Sequence, residues 1–121
     1  MIVNDGLKNI RKWFARSGGV APTSIVLGTS GTVPAETDSA LGSEVSSTEK
    51  GFATVPTEGD FTVQFEHVLA STEGNSFTFR EFALADSVSG SIFSRDTFTA
   101  LNKTTAFDVQ TVVTIKFINE G

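Results

Sequence analysis

At the N-terminus Val3, Leu7, Ile10 and Phe14 recur at helical spacing, while Lys8, Lys12 and Arg16 step by four along the other side. Trp13 flanks the apolar stripe. Asn4 suits an N-cap, Asp5 a first-turn acid, and Ser17-Gly18-Gly19 a stop. Residues 1–19 therefore read as an amphipathic helix of about three turns, set before a single β domain at residues 20–121.

The period then changes to two. Ser24-Ile25-Val26-Leu27, shortly after Pro22, suits a first or edge strand. Phe61, Val63, Phe65, His67 and Leu69 fall on one face of a strand, with Thr62, Gln64 and Glu66 on the other. Residues 71–75 read as a turn. Phe77 and Phe79 share a parity that Phe82 and Leu84 do not, so a bulge is expected near Arg80-Glu81. Residues 86–90 reverse the chain, residues 91–98 make a fourth strand and residues 101–105 a further turn. Phe107, Val109, Thr111, Val113, Ile115 and Phe117 then alternate along a last strand.

Residues 29–60 have neither period. They carry six acids and few large apolar side chains, and read as a long acidic loop or arm with a short helical turn near residues 37–44. The expected fold is mainly β: an antiparallel β-sandwich or small β-barrel with an N-terminal amphipathic helix and a long loop.

Composition narrows the chemistry. The chain of 121 residues has no Cys, one His and a net charge of -5, which excludes disulfide, thiolate and iron–sulfur chemistry and argues against nucleic acid as the main partner. Charge is polarised: Lys8, Arg11, Lys12 and Arg16 oppose only Asp5 in the first sixteen residues, and the remainder is strongly acidic. No targeting or membrane-spanning run is expected, because Asn4, Asp5, Lys8, Arg11 and Lys12 interrupt the N-terminal candidate. Asn102-Lys103-Thr104 is a formal glycosylation triplet that reads as an exposed turn.

Gly28-Thr29-Ser30-Gly31-Thr32 lacks both the G-x-S-x-G elbow and the lysine of a phosphate loop, and reads as a turn. His67, on an apolar face, reads as a core or interface residue rather than a general base. Glu36-Thr37-Asp38 is too little for a calcium loop. We therefore expect no catalytic residue, no cofactor and no metal ligand set. The helix packs its Leu7, Ile10 and Phe14 stripe either on its own sandwich or, with Trp13, on a neighbouring subunit; on the second reading the candidate interface is Leu7, Ile10, Trp13 and Phe14 with Lys8, Lys12 and Arg16, joined by Phe52 and Val55, apolar residues in a polar arm.

Ile25-Val26-Leu27-Gly28-Thr29, Pro34, Thr37-Asp38-Ser39-Ala40-Leu41 and Glu44 resemble the I-G-T-G-T-T-x-P-x-x-T-D-T-A-L-x-x-E stretch of small structural proteins of tailed bacteriophages and archaeal tailed viruses. Arg80-Glu81-Phe82-Ala83-Leu84, Ile92-Phe93-Ser94-Arg95, Phe98 and Asn102-Lys103-Thr104 resemble that group's later motifs, T-E-x-G-L and L-x-A-R-x-x-F-x-x-x-x-K-T. Ser30 replaces the usual second glycine, and Val45-Ser46-Ser47 follows Glu44 where an arginine is common. The resemblance implies a non-enzymatic virion component of a tail, baseplate, fibre or capsid decoration, made and assembled in the host cytoplasm. Its implied partners are itself, as a homo-oligomer, and other virion proteins, with no membrane. The alternative is a carbohydrate- or receptor-binding module of a host-recognition fibre, whose partner would be a host surface glycan.

Overall fold

The two alternating runs at residues 61–70 and 107–117 pair with each other. In the structure, a computed structural model describing residues 1–118, they are β4 (Thr62–Leu69) and β7 (Val109–Lys116). With the two-residue β3 (Thr57–Glu58) they form an antiparallel sheet of order β3-β4-β7. The second sheet, also antiparallel, contains β1 (Ser24–Gly28), β2 (Glu44–Gly51), β5 (Thr78–Ala85) and β6 (Ile92–Asn102) in the order β2-β1-β5-β6. One helix, α1 (Asn4–Ala15), precedes them. The fold is thus mainly β and sandwich-like, with no closed barrel among the described residues.

Parity explains which side chains meet between the sheets. Ile25, Leu84 and Phe93 of the larger sheet pack against Phe65, Val113 and Ile115 of the smaller, and Leu27, Val45 and Phe79 join Leu69 further along. The expected bulge is present: the β5–β6 register shifts between Phe79 and Glu81. That one-residue offset lets Phe79, Phe82 and Leu84 share the inner face and turns Glu81 outward with Ala83. The outer face of the larger sheet is itself buried, because Val3 and Leu41 cover Val26, Ala83, Ala85 and Ile92 there.

Three expectations are corrected. The strand at Ser24 is the first, as expected, but not an edge: β1 lies between β2 and β5 and all five of its residues are buried. The acidic stretch 29–60 is loop only as far as Ser43; it then supplies β2 and β3, with a turn at residues 36–37 and no helix. β2 escapes a period-two reading because only Val45 and Thr48 turn inward, three residues apart, where the β1–β2 register slips between Ile25 and Leu27. The Thr48 hydroxyl repairs the slip by accepting from the Leu27 N–H at 2.9 Å and donating to the Val45 carbonyl at 2.7 Å. Third, Asn4 is not a side-chain cap. Val3 holds that position, and the Asn4 N–H donates instead to the Glu36 carbonyl at 2.7 Å, tying the helix start to the loop.

The helix ends at Ala15, before its glycines are reached. Arg16 takes the left-handed conformation, φ 53°, and its N–H and that of Ser17 return to the Trp13 and Lys12 carbonyls. Nor is α1 a loose appendage. Ile2 bridges to Ser94, Val3 is fully buried, and a β-carbon at Gly6 would overlap the Phe93 carbonyl oxygen. Trp13 stacks on the Phe93 ring at 6.0 Å. The face packed on β6 is therefore Val3, Gly6, Ile10 and Trp13, and Leu7 and Phe14 are left exposed beside it. No described helix is long and apolar enough to cross a membrane.

Candidate functional site

Two features combine unusual residues with a defined position: a polar clamp on the outer face of the larger sheet and an apolar groove at one end of the sandwich.

The clamp is built on Glu81, which the bulge turns outward and the loop of residues 29–43 covers completely. Its Oε1 accepts from the Gly42 N–H at 2.8 Å and from Arg95 Nε at 3.1 Å. Its Oε2 accepts from the Ser30 and Ser43 N–H groups at 2.9 and 2.8 Å. Arg95, also buried, continues to Asp38 Oδ2 at 2.9 Å and the Thr32 carbonyl at 2.8 Å. Burial opposes charge on Glu81, but the Ser43, Ser30 and Gly42 amides and the Arg95 guanidinium outweigh it and hold the carboxyl below its usual range. The Ala35 amide does the same for Asp38, helped by Arg95 and opposed by burial. Two carboxylates, one guanidinium and four backbone amides thereby pin an otherwise irregular loop to the sheet.

A second clamp holds the far end. The Lys103 ammonium, almost fully buried, donates to Asn75 Oδ1 at 3.0 Å and to the Thr104 and Ser71 carbonyls, with the Phe107 ring 5.6 Å away. The triplet at Asn102 is accordingly only partly an exposed turn: Asn102 is exposed and Lys103 is not.

His67 is fully buried between the sheets, where Nε2 donates to the Thr48 carbonyl at 2.7 Å and Nδ1 has no partner among the described residues. Burial foremost keeps its pKa below the usual value, so the ring is neutral at pH 7. The Ser30 hydroxyl donates to Thr32 Oγ1, not to an imidazole. Among the described residues no three His, Cys, Asp or Glu side chains gather into a metal-holding group.

The groove, about 420 Å³, lies beside Phe65 and Ile115 of the smaller sheet. Ile10, Trp13 and Phe14 of α1 line it together with Leu84 and Phe93 of the larger sheet, and with Val63 and Phe117. Of the interface residues expected from sequence, Ile10, Trp13 and Phe14 meet here, Phe14 with 88% of its surface exposed. Leu7, Lys8, Lys12 and Arg16 are exposed on the same helix. Phe52 lies elsewhere, half-buried with its ring 5.0 Å from that of Phe65, and Val55 is exposed and lines no part of the groove. The sequence reading missed Val63 and Phe117 as lining residues; Phe117, and Phe61 nearby, read as inward strand positions yet are exposed. It also assigned no role to Asp38, Glu81, Arg95 and Lys103, although all four fall inside the motif stretches that carry the resemblance. Comparison of the chain with protein-family models, curated proteins and solved structures finds no match.

Proposed function

We propose that the chain is a non-enzymatic structural subunit of a tailed-virus particle, one that oligomerises and meets other particle proteins in a tail, baseplate, fibre or capsid decoration. The observation that carries this reading is the convergence of the resemblance motifs. Asp38 from the first, Glu81 from the second and Arg95 from the third join in one network, and Lys103, also of the third, closes the far turn. All four side chains hold loops in place, which is the work a subunit needs from residues that a catalyst would leave accessible. The polarised charge and the exposed Leu7 and Phe14 on a basic helix further support a role in subunit contacts. In this reading the protein is made in the host cytoplasm and resides in the virion.

The test is compositional. Particles purified on a density gradient from a culture carrying this sequence, analysed by quantitative mass spectrometry, should contain the chain in a fixed ratio to the other structural proteins. Its absence from intact particles would overturn the proposal.

A further inference from the structure

The edge of a β-sheet is an open row of backbone donors and acceptors, and the edges formed by β3, β2 and β6 are each blunted against pairing. β3 is only two residues long. β2 carries Glu44, Glu49 and Lys50, and its register with β1 is slipped. The start of β6 is taken by the N-terminal residues, where Ile2 bridges to Ser94 and the Arg95 N–H donates to the Met1 carbonyl at 2.9 Å, and its ladder with β5 shifts twice. β7 has no such protection among the described residues. It pairs with β4 alone, in a register without a shift, and from Val109 to Ile115 it holds no charge, proline or glycine. Val112, in the middle of the strand, is 43% exposed.

Charge at the two ends of β7 says what this edge fits. Asp108, just before the strand, and Lys116, at its end, are both exposed, and neither is in an ion pair among the described residues. Two copies of β7 laid antiparallel about a two-fold axis keep their inner and outer faces aligned only when residues of like parity stand opposite. Of those registers, the one with Val112 on the axis sets each Asp108 against Lys116 of the other copy. It also sets Gln110 against Thr114 and the two Val112 side chains against each other, cross-strand neighbours that stabilise a sheet. Moving the axis to Thr111 or Val113 sets Lys116 against Ala106 or Gln110 and leaves both charges unanswered.

We infer that the free edge of β7 is the seat of a second copy of this chain, whose own β7 adds antiparallel with Val112 on the two-fold axis and joins the two smaller sheets into one continuous sheet. The inference rests on the reading above that the chain self-assembles, and it names the surface and the register.

The chain has no cysteine, so a single introduced thiol reports the register. Directly opposed residues of antiparallel strands have Cα atoms about 4.5–5.5 Å apart, within disulfide reach, whereas residues four positions out of register are about 13 Å apart. Analytical ultracentrifugation of the full chain should show a dimer. Val112→Cys should form a covalent dimer on mild oxidation. Thr114→Cys should not do so by itself, but should cross-link when mixed with Gln110→Cys. Val112→Lys should weaken the dimer by about tenfold or more, since it sets like charges on the axis, and should leave the thermal melt of the dilute monomer unchanged. Asp108→Lys and Lys116→Asp should each weaken it by about fivefold, and the double exchange Asp108→Lys/Lys116→Asp should restore it. A wild-type monomer at all concentrations, a dimer untouched by Val112→Lys, or Thr114→Cys cross-linking by itself as readily as Val112→Cys would each overturn the inference. So would a double exchange that fails to restore the dimer. Particle composition is read separately, so a failure here leaves the subunit proposal to its own test.

Discussion

Replacing Glu81 with Gln keeps the shape of the side chain and changes only what it can accept. The carboxylate receives four hydrogen bonds, from the Ser30, Gly42 and Ser43 amides and from Arg95 Nε, at 2.8 to 3.1 Å. A glutamine amide has one acceptor oxygen, so either orientation aims an NH₂ group at two of those donors, and Arg95 keeps Asp38 as its only carboxylate. Breaking one side of a buried ion pair costs about 3–5 kcal/mol, and leaving buried donors unpaired costs about 1–3 kcal/mol each, contributions that overlap here. We take about 3–5 kcal/mol for the whole change, a large share of the roughly 5–15 kcal/mol that holds a domain folded. For a chain of this length that lowers Tm by about 10–20 °C. The assay is a reversible thermal melt of Glu81→Gln beside Glu44→Gln, an exposed acid of the same region that should leave Tm unchanged. Amide exchange should also quicken at Ser30, Gly42 and Ser43. A Tm within about 3 °C of wild type, equivalent to about 1 kcal/mol, would refute the claim that Glu81 holds the loop.

Gly6→Ala should destabilise by about 1–3 kcal/mol, because the added methyl meets the Phe93 backbone and must push α1 away from β6; a red shift of Trp13 emission would accompany the lower Tm. Arg16→Gly should stabilise by about 1 kcal/mol, since Arg16 bears the left-handed conformation that glycine adopts without strain, and a chemical-denaturation midpoint reads the gain. Stability should fall on acidification in two stages. His67 binds a proton less readily folded than unfolded, so a first loss begins below the ordinary histidine pKa of about 6.5. Asp38 and Glu81 are likewise held below their usual values, adding a steeper loss below pH of about 4.5. A urea midpoint flat between pH 7 and pH 5 would contradict the burial of His67.

The bulge at Arg80-Glu81, the two alternating runs at residues 61–70 and 107–117 and the inward face of His67 were all legible from side-chain parity. That is so because a strand's period of two is a local property and survives wherever one face is buried. The amphipathic helix was legible for a related reason, yet its docked face was misjudged: Gly6 carries no apolar signal but sets how closely α1 approaches β6. β2 was hidden because a slipped register spaces Val45 and Thr48 three apart and a hydroxyl replaces a ladder bond, a repair visible only when β1 lies alongside. Glu81, Arg95 and Asp38 could be read as motif letters but not as partners. They are separated by 14 and 57 residues along the chain, and only the crossing of the loop over β5 and β6 brings their charges within bonding distance. Local periodicity thus settled the elements, while the long-range closure of the loop settled which of their residues act together.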